Sequence, residues 1–174
     1  MKVKQIKKDI FINDKLTDIK QVNNNNRHCT YYNQEYDVFI KTCNNSIAKQ
    51  YIQNEFNILS KLQNYKYFPK ILAYQNNILI TNNCGNQFKK LDNKYLYQIY
   101  EIESILEKEN IQHNDLHLHN VMFKDDQVYF IDFGHATYNQ QPTVDINTKI
   151  KQYIKYSHSK SNIKRILRQI KIIN

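Results

Sequence analysis

Residues 113–134 read HNDLHLHNVMFKDDQVYFIDFG, and this segment gives the strongest indication of the fold. Asp115 and Asn120 lie in a polar segment, and Asp132 follows an apolar segment whose pattern predicts a β-hairpin. Asn120 and Asp132 offer hard oxygen ligands, which Mg²⁺ prefers. Asp115 remains as the carboxylate that orients or deprotonates an attacking hydroxyl. Two metal ligands and one such carboxylate are what phosphoryl transfer requires of a protein.

The same segment resembles the catalytic loop and the metal-binding motif of the protein-kinase superfamily. The resemblance implies that Asp115 is the catalytic base and that Asn120 is a metal ligand. Residues 132–134 match the DFG triplet, whose Gly134 is expected to let the backbone turn sharply beside the metal ligand. His113 is expected to be structural and to pack beneath the loop. The resemblance therefore implies an ATP- and Mg²⁺-dependent phosphotransferase, most simply a serine/threonine protein kinase.

The resemblance also implies nucleotide-binding residues upstream of this segment. Lys41 ends an apolar stretch typical of a β-strand and corresponds to the lysine that holds the α- and β-phosphates. Glu55 corresponds to the partner of that lysine. It is expected at the edge of the apolar face of a helix, where a charge requires a partner. Asn82 and Cys84 lie in the segment that resembles the hinge, whose backbone would hold the adenine.

The order of predicted elements gives the fold class. The elements are an irregular segment at 1–35, a strand at 36–41, a helix at 47–63, a hairpin at 71–81, a helix at 92–109, a hairpin at 121–131 and a helical tail from about 144. This order predicts a two-lobed α+β protein-kinase-like fold in a single domain, 1–174. We expect a small, mostly-β N-lobe at about 1–83 and a reduced helical C-lobe at about 84–174.

Two departures from the kinase pattern narrow the resemblance. No glycine precedes Lys41, and residues 21–32, which are rich in Asn, occupy the place of the glycine-rich loop. No long activation segment follows Gly134. The chain therefore resembles the minimal atypical kinases, namely the RIO group and the small kinase of the KEOPS tRNA-modification complex. In such kinases an aspartate that follows soon after the metal motif braces the catalytic loop, and Asp145 fits that position.

Three alternatives remain open at this point. A pseudokinase, which binds nucleotide or acts as a scaffold without turnover, is favoured by the missing glycines. A small-molecule kinase is suggested by Asn114 and His117, because aminoglycoside and choline kinases share an H-x-D-x-H loop. A metal-dependent hydrolase is suggested by a cluster of histidines near Asp115 and Asp132. Those histidines are His113, His117, His119 and His135.

The composition indicates polyanionic partners. The formal net charge is +9, and no acidic residue follows Asp145, whereas basic residues continue to Lys171. Apolar residues recur at helical spacing in this basic C-terminal tail. We expect ATP and a protein substrate as partners, with an acidic or nucleic-acid partner bound through the tail.

The remaining composition bears on the cellular location. No run of about 18 apolar residues and no signal-peptide pattern is present, so we expect a soluble, intracellular, cytoplasmic protein that contacts no membrane. Cys29, Cys43 and Cys84 have no metal-like spacing and are typical of reduced thiols. The abundance of Ile, Asn, Lys and Tyr is what an AT-rich genome produces, such as that of a large DNA virus.

Overall fold

The structure is a computed structural model. It describes residues 1–6, 9–13, 15–16, 18–24, 28–43, 45–87 and 95–139. Asp145, the expected helical tail and the first residues of the expected helix at 92–109 lie outside these residues. Among the helices of the described residues, none has the length and apolar character needed to span a membrane.

The described residues form an α+β fold, as the sequence predicts. The strands are β1 (Val3–Ile6), β2 (Asp9–Ile12), β3 (Lys15–Leu16), β4 (Lys20–Asn24), β5 (His28–Asn33), β6 (Val38–Cys43), β7 (Ile71–Gln75), β8 (Ile78–Asn82), β9 (Asn86–Gln87), β10 (Ile111–Gln112), β11 (Val121–Lys124), β12 (Gln127–Phe130) and β13 (Thr137–Tyr138). The α-helices are α1 (Ser46–Leu62) and α2 (Leu96–Lys108), and single 3₁₀ turns lie at Leu118–Asn120 and Phe133–His135.

The chain divides into two compact units. The first consists of Met1–Cys84 together with Phe133–His135. The second contains Gly85–Asp132 and, among the later described residues, 136–139. The first unit holds the sheet β1-β2-β3 and the sheet β4-β5-β6-β8-β7, and the second holds β12-β11-β9 and the pair β10-β13. The lobe boundaries expected from the sequence stay a prediction.

The burial pattern of β6, the central strand of the five-stranded sheet, explains which face of the sheet Lys41 occupies. Along β6, the side chains of Val38, Ile40 and Thr42 are buried, and those between them are only partly buried. Because successive side chains of a strand alternate between faces, Lys41 lies on the face opposite this buried set. The buried residues Val38 and Ile40 of β6 form a core cluster with Ile78 and Ile80 of β8 and with Ile12 of β2.

The expected irregular start of the chain was wrong. Residues 1–33 contribute β1 to β5, and the Asn-rich tract expected as a loop already begins within β4. The pattern of β1 to β4 is weak because β1 to β3 have only two to four residues each, and three of the five residues of β4 are Lys or Asn, which are depleted in strands. Their pairing is set by their neighbours. For example, all six residues of β5 pair with β6, from His28 opposite Cys43 to Asn33 opposite Val38.

The other expected elements that fall on described residues are confirmed within a few residues. Helix α1 begins one residue before the expected helix at 47–63, and the Asn45 side chain caps it by accepting a hydrogen bond from the Ala48 N–H at 2.8 Å. The expected hairpins correspond to β7–β8 and β11–β12. None of the three cysteines takes part in a disulfide.

Candidate active site

Lys41 and Glu55 form an ion pair in the first unit, in which Glu55 is buried and Lys41 is partly buried. The Lys41 Nζ donates to both carboxylate oxygens of Glu55, at 2.8 Å and 2.7 Å. The exposed fractions of the two side chains are 16% and 3%. Charge-assisted bonds of this length are among the strongest hydrogen bonds in proteins. The structure thus joins the two residues that the sequence predicts as partners.

Glu55 lies deeper than its expected place at the edge of the apolar face. The buried stripe of α1 runs through Ala48, Ile52, Glu55, Leu59 and Leu62, at alternating spacings of four and three residues. Glu55 is therefore in the middle of the stripe, with buried apolar residues on the turn before it and on the turn after it. A carboxylate in this position is tolerated only when it is paired, and Lys41 supplies the pairing charge.

The predicted hinge residues are held by the first unit itself. The Asn82 N–H donates to the Lys70 carbonyl at 3.1 Å, and the Asn82 Oδ1 accepts from the Lys70 N–H at 2.7 Å. The Asn83 N–H donates to the Asp37 carbonyl at 3.1 Å. Cys84 is buried, with 4% of its surface exposed. The side chain of Asn82 thus has a structural role, and the nucleotide-binding role of Asn82 and Cys84 stays a prediction.

The predicted catalytic loop lies in the second unit and fixes the orientation of the Asn120 amide. The Asn120 Nδ2 donates to the backbone carbonyl of Asp115 at 2.9 Å and lies 3.3 Å from the His117 Nε2. Because a carbonyl oxygen only accepts, the amide nitrogen must face Asp115, which leaves the amide oxygen as the group available to a metal. The Asp115 carboxylate is 39% exposed and lies 3.8 Å from the His117 Nε2.

Two hydrogen bonds hold the backbone of Ile131, the residue before Asp132. The Ile131 N–H donates to the Asn120 carbonyl at 3.0 Å, and the Ile131 carbonyl accepts from the His113 Nε2 at 2.9 Å. Asp132 then adopts a positive φ of 67°. Asp tolerates this left-handed region better than most residues that carry a side chain. The structure thus brings Asn120 and His113 together around the residue that leads into Asp132.

Gln98, which belongs to no motif of the sequence, also helps to position this segment. Gln98 is buried on α2, and its Nε2 donates to the Asp126 carbonyl at 2.8 Å. Its Oε1 accepts from the Val128 N–H at 2.8 Å. Both bonds hold the β11–β12 turn against α2. A polar residue within an otherwise apolar helical stripe is the signal that would have identified it.

His113 is buried and accounts for a pH effect on stability. Burial lowers the pKa of His113 below its ordinary value of 6.5, despite opposing contributions from its bond to Ile131 and from nearby Asp132 and Asp115. Below pH 6.5 the unfolded chain therefore takes up a proton that the folded chain resists. The contribution to stability is complete above this pH and is lost as the pH falls below it.

We expect this loss to approach about 1.4 kcal/mol per pH unit at its steepest. Urea unfolding should show that the free energy of unfolding decreases from about pH 7.5 to about pH 5.5. This decrease should be larger for the wild type than for His113→Gln, whose side chain cannot take up a proton. His119→Gln, which removes an exposed histidine of the same loop, is the control. An equal decrease in wild type and His113→Gln would contradict the prediction.

Gly134 has a different role from the one expected. Among the described glycines only Gly85 has a positive φ, so Gly134 does not supply a left-handed turn; that conformation occurs at Asp132. A Cβ atom at Gly134 would instead overlap the ring of Tyr51. The glycine is needed because an aromatic ring of α1 lies directly against the backbone.

The geometry required by the hydrolase alternative is not found in the described part of the chain. There, no group of three or more His, Cys, Asp or Glu side chains is arranged to hold a metal ion. His119 is exposed, and its Nδ1 lies 3.1 Å from the Gln87 Oε1. Asp145, the predicted brace of the catalytic loop, lies outside the described residues, as does the basic C-terminal tail.

Comparison with known families decides the classification. The family model described as RIO domain matches residues 7–147, well over half of the chain. The chain belongs to the RIO domain family. No curated protein matches the sequence significantly.

Membership of the RIO domain family confirms the resemblance inferred from the catalytic loop. This RIO-family chain is a kinase-like member of a family of atypical protein kinases and ATPases, and its α+β fold is kinase-like. Family members use ATP together with a metal. The match includes Lys41, Glu55, Asp115, Asn120 and Asp132, and it extends through Asp145.

Proposed function

We propose that this RIO-family chain is an ATP- and Mg²⁺-dependent phosphotransferase that acts on serine or threonine hydroxyls of a protein substrate. The buried Lys41–Glu55 pair is the observation that carries the proposal, with its two bonds of 2.8 Å and 2.7 Å. Burying two charges stabilises a fold less than well-packed apolar residues often would. The desolvation cost of such a pair is therefore better explained by a binding role of the lysine than by stability alone.

In the proposed reaction the residues of the two units have separate tasks. Lys41 binds the α- and β-phosphates, and Glu55 holds its ammonium group in one orientation. Asp115 accepts the proton of the acceptor hydroxyl as the hydroxyl oxygen bonds to the γ-phosphorus and the bond from that phosphorus to ADP breaks. His113 holds the backbone that leads into Asp132.

The residues present suit a magnesium ion. Asn120 and Asp132 offer an amide and a carboxylate oxygen, and Mg²⁺ is commonly bound by one or two such groups together with substrate phosphates. The bond from the Asn120 Nδ2 to the Asp115 carbonyl, at 2.9 Å, already turns the amide oxygen away from that carbonyl. When bound, the ion would neutralise charge on the phosphates.

Binding of ATP with and without metal tests the proposed Mg²⁺-dependent binding of the nucleotide. Calorimetric titration should show that ATP binds the wild type in the presence of Mg²⁺ and that chelation of the metal weakens binding at least tenfold, whereas Asp132→Asn should show little of this metal dependence. Asp125→Asn is the matched control, because Asp125 is an exposed residue of the β11–β12 turn that also has a positive φ, 50°.

Transfer of phosphate from ATP tests the proposed reaction with serine or threonine hydroxyls. With ATP labelled at the γ-phosphate, the label should appear on serine or threonine of a generic acceptor protein or of the chain itself. Label on a small hydroxylated compound alone would favour a small-molecule kinase. Binding of Mg²⁺ and ATP without transfer to any acceptor would favour a pseudokinase. Stabilisation by Zn²⁺ but not by Mg²⁺ and ATP would favour a hydrolase.

A further inference from the structure

Tyr51 of α1 is enclosed by two histidines that are distant in sequence. Its ring stacks on His28 of β5, with centroids 5.4 Å apart and an interplanar angle of 15°. The edge of another ring, that of His135, meets it at 4.7 Å and 84°. Gly134, which precedes His135, has no room for a side chain, since any Cβ there would overlap Tyr51 Cε1, Cζ and Cδ1.

A hydrogen bond from the same helix holds the same glycine. The Asn54 Nδ2 donates to the Gly134 carbonyl at 3.0 Å. Phe133, which is fully buried, packs edge-on against Phe68 at 5.7 Å, so the segment is held by apolar contact as well. These contacts all lie within the first unit, which includes Phe133–His135 although the residues on either side belong to the second.

We propose that Tyr51 and Asn54 are positioning residues for metal binding. They fix the backbone at Gly134, two residues after Asp132, to the helix whose Glu55 pairs with Lys41. One rigid helix thereby holds both the phosphate-binding lysine and the backbone that follows the metal-binding aspartate. The inference rests on the proposed function, because it takes Asp132 as a Mg²⁺ ligand and Lys41 as a phosphate ligand.

Removing the amide of Asn54 tests the hydrogen bond. Asn54→Ala should raise the Mg²⁺ concentration for half-maximal phosphate transfer about three- to tenfold, the factor that one neutral hydrogen bond provides. The apparent affinity for ATP without metal should change less than about twofold, because Lys41 and Glu55 keep their contact. Asn57→Ala is the matched control: Asn57 is exposed one turn further along α1, and we expect no change in the Mg²⁺ requirement.

The fit between Tyr51 and Gly134 is tested by a double-mutant cycle. Gly134→Ala alone should raise the Mg²⁺ requirement more than about tenfold, because the added methyl group displaces the backbone or the ring. In a Tyr51→Ala background the same substitution should raise it less than about twofold, because the space is then open. Additive effects of the two substitutions would overturn the inference.

The outcomes separate this inference from the proposed function. If Asn54→Ala and Gly134→Ala lower the melting temperature but leave the Mg²⁺ requirement unchanged, the contacts are only structural and the inference fails, while the proposed function stands. If the wild type shows no Mg²⁺-dependent binding of ATP, both fail together. A raised Mg²⁺ requirement with unchanged metal-free affinity for ATP supports the inference.

Discussion

Replacement of Asp115 by Asn is expected to lower the rate constant for phosphate transfer about 100- to 10,000-fold, the usual contribution of a general base. The amide has nearly the same size as the carboxylate but cannot take up the hydroxyl proton. The contact that fixes Asn120 is made by the Asp115 backbone carbonyl, at 2.9 Å, and the substitution leaves this group in place. Binding of Mg²⁺ and ATP should therefore be retained within about threefold.

Single-turnover transfer with saturating ATP is the measurement, because it separates the chemical step from product release. Asp125→Asn makes the same chemical change at an exposed turn of the second unit and should transfer phosphate at the wild-type rate. If Asp115→Asn lost nucleotide binding and transfer to the same extent, Asp115 would be a binding residue rather than the base. Full activity in Asp115→Asn would exclude it from the reaction.

Replacement of Lys41 by Met is expected to lower the free energy of unfolding by about 3–5 kcal/mol and to abolish binding of ATP. Met has a similar length and fits the same space but leaves the Glu55 carboxylate, whose side chain is 3% exposed, without its charged partner. Urea unfolding measures the loss. Lys49→Met, which removes an exposed lysine of α1, should change the free energy of unfolding by less than about 0.5 kcal/mol.

The double variant Lys41→Met with Glu55→Leu separates stability from function. Replacing both members of a buried ion pair by apolar groups is often neutral or stabilising, so we expect most of the lost stability to return. Binding of ATP should not return, because the phosphate ligand is missing. If Lys41→Met unfolded at the wild-type denaturant concentration, the pair would not be buried in solution. Recovery of ATP binding in the double variant would exclude Lys41 as a phosphate ligand.

The parts of the site that follow from local sequence could be predicted. The spacing from Asp115 to Asn120 and the hairpin that leads to Asp132 lie within residues 113–134, so the chemistry of these side chains is visible there without tertiary information. The pairing of Lys41 with Glu55 was predicted from the resemblance to kinases, and it agrees with the rule that a carboxylate at the edge of an apolar helix face requires a partner. The depth at which Glu55 is buried could not be predicted, because it depends on how α1 packs on the sheet.

The parts that depend on contacts between distant residues could not be predicted. The reason for a glycine at position 134 is the ring of Tyr51, and the bond from Asn54 to Gly134 joins residues 80 positions apart. No periodic pattern in the sequence encodes such a contact. The strand β4 was hidden for a different reason: its Lys and Asn residues are held in extended conformation by pairing with β5 rather than by their own propensity.

The discontinuity of the first unit has a consequence for the order in which the protein can fold during synthesis. Its first 84 residues emerge from the ribosome well before Phe133, yet Phe133 is fully buried against Phe68 in the same unit. A missing core aromatic side chain typically costs about 3–5 kcal/mol, a large part of the stability of a domain. The nascent first unit therefore reaches its full stability only after the predicted catalytic loop has also been made.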